Sequence, residues 1–487
     1  MPTSPFPAVR SLPGRLHGTG RTAGSLLRPL LLAVLLVAAA AGVGQLTGAG
    51  RRAAVRTGPV DTELNAIHAA LSDLEHEYFR PVDAAVLLGG AWDGAVNAAK
   101  PAGSRIAAVA TPRLDGKPSA ARSNFDQAFR ELSASAQGAV DAPTLGHAAI
   151  AGLASAVHEN HTYFIDPERW NHRGDTVNSY AGVGVTVSER PDGIYIGEVF
   201  EGSPAAQAGL RAGDRFLKVD DQPLDGAKLD QLVNRLRGAA GTRVSVTVQR
   251  GAGTLQVAMT RATISIAAFE SRILDGGIGY VRLRSFPPAG AKLPDGQTVA
   301  QALDAALDGF DRAGVSSWVL DLRGNGGGYL DEMTEIASRF VPSGTPLLVS
   351  HTQSGDSVSR TGGGQHRPAR PLVVLINAGS ASASEILSSA LQESGRATIV
   401  GEKSAGVANA ANLDALPDGG GLSVTAVQSL TGLKRRPLDG EGVTPDSPVA
   451  ANPDDVTTGR DSQLERAETV LRAAIAQSGA NGAGASP

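Results

Sequence analysis

The stretch LVVLINAGSASASEIL, residues 372–387, decides how the central part of this chain is expected to fold. An uncharged run (372–377), predicted to be a strand, leads into a turn at Gly379, and a helical pattern begins within the serine cluster that follows. A buried strand that turns tightly into a helix lifts a serine to the edge of a sheet. The N–H groups at the start of the helix then face any developing negative charge. The stretch predicts either a serine nucleophile with an oxyanion donor, or serines that only cap a helix.

A second strand and glycine turn precede this stretch. Residues 316–322 are predicted to be a strand, and the turn that follows contains three glycines, at 326–328. Consecutive glycines let the backbone approach a ligand closely and can supply a second oxyanion donor. No Lys-Ser/Thr pair follows them, so the turn is not a phosphate-binding loop. With helices predicted at 299–313 and 385–393, residues 263–450 are expected to form an α/β core with a largely parallel sheet.

The segments on the N-terminal side of this core have a different character. An apolar stripe with spacings of three and four residues predicts a helix that Pro81 ends, and a second helix should span 82–96. Residues 101–145 are expected to be a loop insertion with one short helix at 125–132, and another helix is predicted at 147–157. Alternating β-branched runs over 181–262 predict a small β-rich module. Beyond the core, a last helix is predicted at 463–476, and a disordered tail after it.

Composition narrows the possible functions. The chain has 487 residues, of which 42% are hydrophobic, which is enough for a sizeable core. Residues 1–52 contain six arginines and no acid, and the remainder has 38 basic and 48 acidic residues. An acidic body argues against nucleic acid as a partner, because phosphates require a basic face. The absence of cysteine excludes disulfides, thiolate metal sites and a cysteine nucleophile.

The N-terminus suggests export. Four arginines precede an uncharged run at 29–50, which predicts a signal peptide or a single membrane anchor. The alanines at 39–41 would suit a cleavage site. We therefore expect an exported protein of the cell envelope or exterior, either secreted or tethered to the membrane through this segment.

Several motifs together resemble a known family. Segments 182–185, 202–210 and 213–220 look like a PDZ domain of the type found in bacterial proteases. The turns at 321–328 and 379–386 and the segment 441–446 resemble the C-terminal processing (tail-specific) serine proteases and their tricorn relatives. The resemblance covers about residues 60–475. It implies an α/β, or α+β multidomain, fold with a core similar to ClpP and crotonase, an inserted PDZ-like β-rich domain and an N-terminal helical segment.

This resemblance also implies domain limits. They are a signal or anchor segment at 1–56, an N-terminal helical region at 57–175, a PDZ-like domain at 176–262, a serine protease core at 263–477 and a disordered tail at 478–487.

The resemblance implies the nucleophile and the oxyanion donors. Ser382 is the expected nucleophile, with Ser380 and Ser384 as the other choices. The expected oxyanion donors are the N–H of Ala383 and an N–H from Gly327 or Gly328.

The general base is the point at which this chain departs from the family. Most members use a lysine about 25 residues after the serine, but here that position is Val407. The tricorn-like branch instead uses a histidine and a glutamate, which His161 and Glu441 match, although the spacing from Glu441 to Gly442 is one residue shorter than in the family. Histidine suits general base catalysis at neutral pH, and a carboxylate can orient its ring. His161 could instead be structural, and Glu441 could be solvated or ion-paired.

The sequence also contains a second candidate base and a possible pair of metal ligands. A displaced lysine, Lys403 or Lys434, is the other possible base. His158 lies three residues before His161, but no third ligand stands at a recognisable spacing, so neither a metal nor another cofactor is expected.

The PDZ-like module suggests how a substrate could be recognised. Its segment Gly182, Val183, Gly184 and Val185 would offer N–H groups to the C-terminal carboxylate of a peptide, which adds as a β-strand.

Two functions follow from these observations. The first is an exported serine endopeptidase that recognises unstructured protein or peptide substrates by their C-terminal tails and cleaves them with Ser382, His161 and Glu441. The second is a catalytically inactive protein that binds peptides on a protease scaffold, with Val407 as the mark of lost activity. A homo-oligomer is compatible with both.

Overall fold

The computed structural model describes residues 58–483 apart from 172–180, 191, 225–228, 265, 364–366, 368–369, 453–454 and 456–459. The predicted signal or anchor segment lies outside the described residues. Among the described residues, no helix combines the length and the apolar character needed to cross a bilayer.

Eleven α-helices and one 3₁₀ helix are present in the described part of the chain. They are α1 Pro59–Glu77, α2 Ala84–Ala99, the 3₁₀ helix Lys100–Ile106, α3 Pro118–Ala136, α4 Ala142–Ser155, α5 Pro167–Asn171, α6 Pro204–Gln207, α7 Leu229–Leu236, α8 Val299–Arg312, α9 Leu330–Ala337, α10 Ala383–Glu393 and α11 Ser462–Ala483.

The strands of the described residues form four sheets. They are β1 Tyr163–Ile165, β2 Ala181–Gly182, β3 Val185–Arg190, β4 Gly193–Val199, β5 Arg215–Val219, β6 Gln222–Pro223, β7 Arg243–Arg250, β8 Gly253–Thr260, β9 Ala262–Thr263, β10 Phe269–Leu274, β11 Ile278–Leu283, β12 Ser317–Asp321, β13 Pro346–Thr352, β14 Gly355–Arg360, β15 Leu372–Ile376, β16 Thr398–Gly401, β17 Ala410–Ala415, β18 Gly421–Thr431 and β19 Ser447–Pro448.

The central sheet carries the site. Its strand order is β10-β11-β12-β15-β16-β19. Strand β10 pairs with β11 in antiparallel fashion, and each of the other neighbouring pairs is parallel. Every residue of β12 and β15 is buried, as expected for strands covered on both faces. Helices α8, α9 and α10 pack on one face of the sheet, and α11 packs on the other.

The PDZ-like module has its own sheet and core. The sheet order is β3-β4-β5-β7-β8, so β3 is an edge strand. The module meets the central sheet through Glu198, which pairs with Arg282 and Arg284 of the segment that begins with β11.

The N-terminal helices pack on a second sheet. Strands β1, β13, β14 and β17 assemble around β18, and side chains of β18 enter the core formed by α1 to α4. This layer contains the predicted apolar stripe of the first helix, all of it buried: Leu64, Ile67, Leu71, Leu74 and Tyr78.

The predicted fold class is confirmed, but two segments differ from expectation. Residues 118–136 form a helix of 19 residues whose Phe125, Phe129 and Leu132 are buried in the helical core, so this part is not a loop insertion. The last helix continues to Ala483, seven residues beyond the predicted end, and the first six residues of the predicted disordered tail are therefore helical. Residues 484–487 lie outside the described residues.

Candidate active site

The carboxyl ends of β12 and β15 bring the two predicted turns together. The strands are adjacent and parallel, with Asp321 opposite Leu375, so the turns that follow them lie at the same edge. The N–H of Gly324 donates to the side-chain oxygen of Asn377 at 2.9 Å, and the N–H of Ala381 donates to the carbonyl of Asn325 at 3.0 Å. The glycine turn and the serine turn therefore form one bonded unit.

The three serines of the cluster have different environments. Ser380 and Ser384 are fully buried, and their hydroxyls donate to the carbonyl oxygens of Leu322 and Asn325 at 2.8 and 2.9 Å. Ser382 is partly exposed and stands immediately before α10 with φ 54° and ψ −119°. Positive φ is uncommon for a residue with a side chain and is typical of serines held on a strained turn. Of the three, Ser382 has the accessibility and the backbone geometry of a nucleophile.

Two of the residues predicted as oxyanion donors, Ala383 and Gly327, lie next to Ser382. Ala383 is the first residue of α10, so its N–H has no partner within the helix. Gly327 has φ 102°, and a Cβ there would lie 2.7 Å from the Cβ of Ser382, so only glycine permits this approach. The N–H of Gly327 already donates to Asn325 Oδ1 at 2.9 Å. Of the two glycines, Gly328 is therefore the better second donor.

Glu385 holds a neighbouring segment against the serine turn. Its buried carboxylate accepts hydrogen bonds from Ser382 N–H (3.0 Å), Val407 N–H (2.9 Å), Gly406 N–H (2.7 Å) and the hydroxyl of Ser404 (2.6 Å). The carbonyl oxygen of Val407 in turn accepts from Ser382 N–H at 2.8 Å. Position 407 therefore lies beside Ser382, and Val407 is 44% exposed.

His161 reaches the same segment through a carboxylate. Its Nε2 lies 2.8 Å from Oδ1 of Asp439, which also accepts the N–H of Ala408 at 3.2 Å. Ser382 is thus connected to the imidazole through the peptide group between Val407 and Ala408. The three hydrogen bonds of this connection join Ser382 to Val407, Ala408 to Asp439, and Asp439 to His161. The bond to Asp439 raises the pKa of His161 above its ordinary value, although burial acts in the opposite direction.

The carboxylate beside His161 is Asp439 and not the predicted Glu441. Glu441 is exposed, two residues further along the loop. Burial by itself would raise the pKa of Asp439, but the hydrogen bonds from His161 and Ala408 lower it below its ordinary value. Asp439 is therefore charged at neutral pH and suited to orient the imidazole.

The two alternative lysines lie at different distances along the chain and the helix from the serine turn. The backbone N–H of Lys434 donates to the side chain of Glu393, the last residue of α10, about 16 Å along the helix from Ser382. Lys403 is exposed and directly precedes Ser404, which contacts Glu385.

Sequence reasoning missed Asp439 and Glu385. The shortened spacing between Glu441 and Gly442 was a signal that a neighbouring acid occupies the carboxylate position. Glu385 carried no separate signal, because a glutamate in the first turn of a helix is common at any exposed N-terminus.

The PDZ-like module has an apolar groove at the predicted peptide-binding segment. A cavity of about 280 Å³ lies between edge strand β3 and helix α7, and all four predicted residues line it: Gly182, Val183, Gly184 and Val185. The carbonyls of Val183 and Gly184 are used inside the module, by the N–H groups of Ala205 and Phe200.

Gly184 has a definite steric role in this groove. Its φ is 82°, and a Cβ there would lie 2.3 Å from Cβ of Ser203. The segment therefore requires glycine at this position in order to pack.

Two parts of the chain match models of known protein families. Residues 277–449 match the model of peptidase family S41, and residues 195–250 match a PDZ domain. A carboxyl-terminal-processing protease of Synechocystis sp. is 32% identical over 344 residues, which span 68% of this chain and 78% of that protein. The carboxy-terminal processing protease CtpA of Bacillus subtilis is 28% identical over 314 residues, 63% of this chain and 66% of that protein. A solved photosystem II D1 C-terminal processing protease has a TM-score of 0.50 and 25% identity, covering 80% of this chain and 93% of that one.

Proposed function

Because this chain belongs to the carboxyl-terminal processing proteases of peptidase family S41, we propose that it is a serine endopeptidase that uses a histidine as its general base. In this proposal Ser382 is the nucleophile, His161 is the base and Asp439 orients His161. The single observation that carries the proposal is the connection from Ser382 through the 407–408 peptide group to Asp439 and His161.

The reaction would proceed through an acyl-enzyme. Oγ of Ser382 attacks the carbonyl carbon of the scissile peptide while its proton passes to the imidazole. Because Nε2 of His161 is bonded to Asp439, Nδ1 is the nitrogen that accepts this proton. The N–H groups of Ala383 and Gly328 stabilise the oxyanion. His161 then protonates the leaving amine, and a water molecule, deprotonated by the same imidazole, releases the acyl group.

Substrates would be recognised through the PDZ-like groove. Strand β3 is an edge strand, and the groove beside it is lined by apolar residues of β3 and α7, among them Val185, Val187 and Leu236. A peptide with a free C-terminus can add to such an edge, with an apolar side chain in the groove and its carboxylate at the 182–185 amides. We propose that exported proteins with exposed C-terminal tails are the substrates, since the N-terminal segment indicates export.

One observation favours the second function, a peptide-binding scaffold without activity. Position 407 lies beside Ser382 but carries valine, which cannot transfer a proton. If His161 does not act as the base, Val407 cannot accept the proton of Ser382 in its place.

Labelling with a fluorophosphonate serine-hydrolase probe separates the two functions. The full-length protein, Ser382→Ala and His161→Gln would be treated with the probe, and the adduct would be located by peptide mass spectrometry. His158→Asn is the matched control, because His158 lies three residues from His161 and its φ of 53° is tolerated by asparagine.

We expect an adduct on Ser382 in the wild type and in His158→Asn. It should be absent in Ser382→Ala, and its rate of formation should be reduced at least about a hundredfold in His161→Gln. No adduct in the folded wild type, even with an unstructured peptide present, would support the scaffold function. An adduct whose rate is unchanged in His161→Gln would exclude His161 as the base.

A further inference from the structure

A second cluster of acidic and histidine side chains lies in the N-terminal layer, outside the candidate active site. It consists of Glu63 on α1, His147 on α4 and Asp418 in the turn between β17 and β18. One potential ligand atom from each residue lies within 4.8 Å of the other two. Three separate elements, far apart in sequence, therefore direct polar side chains at one point.

The carboxylates of this cluster are buried without adequate partners. Glu63 is only 3% exposed, and its Oε2 has no hydrogen-bond partner among the described residues. Asp418 uses Oδ1 to accept the N–H of Gly420 at 3.0 Å, whereas its Oδ2 makes no hydrogen bond of good geometry within the described chain. Nε2 of His147 lies 3.3 Å from that Oδ2.

Packing forces the Glu63 carboxylate into this position. A Cβ at residue 146 would lie 2.1 Å from Oε2 of Glu63, so the glycine makes room for the carboxylate against the backbone of α4. A buried carboxylate without a partner is costly, and truncation to an apolar residue would be the simpler way to fill the space. The buried carboxylate of Glu63 therefore lacks a hydrogen-bonded, positively charged partner in this cluster.

We propose that Glu63, His147 and Asp418 bind a divalent transition-metal ion, with Zn²⁺ as the best match. Imidazole and carboxylate together are ligands of zinc and manganese, whereas calcium and magnesium prefer oxygen ligands alone. Ligands of one tetrahedral zinc lie roughly 3.4 Å apart, so ligand atoms that lie within 4.8 Å of one another need to close by at most about 1.4 Å. The side chain of His147 is 28% exposed, which leaves an entry path and a position for water as the fourth ligand.

A metal ion here would stabilise the packing of the elements that position the His161 segment. Helix α4 leads directly into the segment that carries His161. The neighbouring strand β18 holds this segment through Ser423, whose hydroxyl donates to the His161 carbonyl at 2.6 Å, and Thr425, whose hydroxyl donates to Glu159 at 2.6 Å. The ion would join α1 and α4 to the turn that begins β18. The binding inference itself does not depend on the proposed peptidase activity.

Isothermal titration of the metal-stripped full-length protein with ZnCl₂ and with MnCl₂ tests the site. The variants are Glu63→Gln and His147→Gln, which keep side-chain size, with folding checked by circular dichroism. The matched control is His161→Gln, because Glu159, His161 and Asp439 form the other trio of potential ligands. Thermal unfolding with and without Zn²⁺ provides a second readout, since an ion that binds only the folded state raises Tm.

We expect one saturable Zn²⁺ site in the wild type and in His161→Gln, weakened at least tenfold in both Glu63→Gln and His147→Gln. The Zn²⁺-dependent rise in Tm should disappear in the same two variants. Absence of saturable binding in the wild type would overturn the proposal and assign the cluster to a protonated Glu63. Binding that is lost in His161→Gln but kept in His147→Gln would overturn it in favour of the other trio.

Discussion

The N–H of Ser382 donates a hydrogen bond of 2.8 Å to the carbonyl oxygen of Val407. This bond places position 407, where most relatives are expected to carry a lysine, directly beside the proposed nucleophile. The next peptide N–H along the chain, that of Ala408, donates to Asp439, which holds His161. The same short segment thus borders both the position of the missing lysine and the histidine proposed to replace it.

Substitution of Ser382 should separate activity from stability. Ser382→Ala and Ser382→Gly should both lower peptide hydrolysis at least about a thousandfold, because each removes the proposed nucleophile. The positive φ of Ser382 favours glycine, so Ser382→Gly should be more stable than Ser382→Ala by about 1 kcal/mol. Urea denaturation measures the difference. Equal stability of the two variants would contradict a strained turn at this residue.

The pH dependence of kcat/KM should report His161. A general base must be neutral, and the bond to Asp439 raises the pKa of His161, so activity should fall as pH drops through a value above about 6.5. Asp439→Asn removes the carboxylate that raises the pKa of His161. The fall of kcat/KM on the acid side should therefore occur at lower pH in this variant. The maximal rate should also drop at least about tenfold, because the amide no longer holds the ring in the required tautomer. An acid limb that stays in place in Asp439→Asn would argue that another group titrates.

A lysine at position 407 should partly replace the histidine. In a His161→Gln background, Val407→Lys should raise the rate of hydrolysis at least about tenfold. The reason is that the backbone of residue 407 is hydrogen-bonded to Ser382 and that the residue is exposed. Val407→Met in the same background is the control, since methionine is long and unbranched but carries no amine. Equal rates for the two double variants would show that an amine at 407 cannot reach the Ser382 hydroxyl.

Glu385→Gln should damage both the site and the fold. The amide keeps only one acceptor oxygen, whereas four donors face the Glu385 carboxylate, so at least one N–H group would oppose the amide NH₂. We expect a loss of about 2–4 kcal/mol in the free energy of unfolding, with slower labelling of Ser382. Glu441→Gln, at an exposed position on the Asp439 loop, should change stability by less than about 0.5 kcal/mol. A similar stability for the two variants would contradict the role assigned to Glu385.

Recognition of the C-terminus should depend on its charge. A peptide that ends in an apolar residue with a free carboxylate should bind the full-length protein at least about tenfold more tightly than the same peptide with a C-terminal amide. The reason is that the 182–185 segment lines the groove and is proposed to offer its N–H groups to the terminal carboxylate. Fluorescence anisotropy on Ser382→Ala measures binding without cleavage. Equal affinities would place recognition elsewhere in the peptide.

The sequence by itself determined the architecture. Periodic patterns predicted strands β12 and β15, the helices that flank them and the β-rich module, because burial on a sheet or helix face imposes a local repeat. The motifs also indicated the turn that carries the proposed nucleophile, and they showed that Val407 stands where the family's lysine is expected. They did not predict that residues 118–136 form a long core helix, since a sequence rich in small and polar residues has a weak apolar pattern.

Only the tertiary structure decided the details of the site. It distinguished Ser382 from its buried neighbours, and it brought Asp439 rather than Glu441 to a histidine 278 residues away. It also showed that the Glu385 carboxylate binds the segment that carries Val407. Periodicity describes which face of an element is buried, whereas the position of a loop carboxylate depends on how distant segments pack. For Asp439, two backbone N–H groups of the 408–409 segment fix the carboxylate, and no local pattern records that contact.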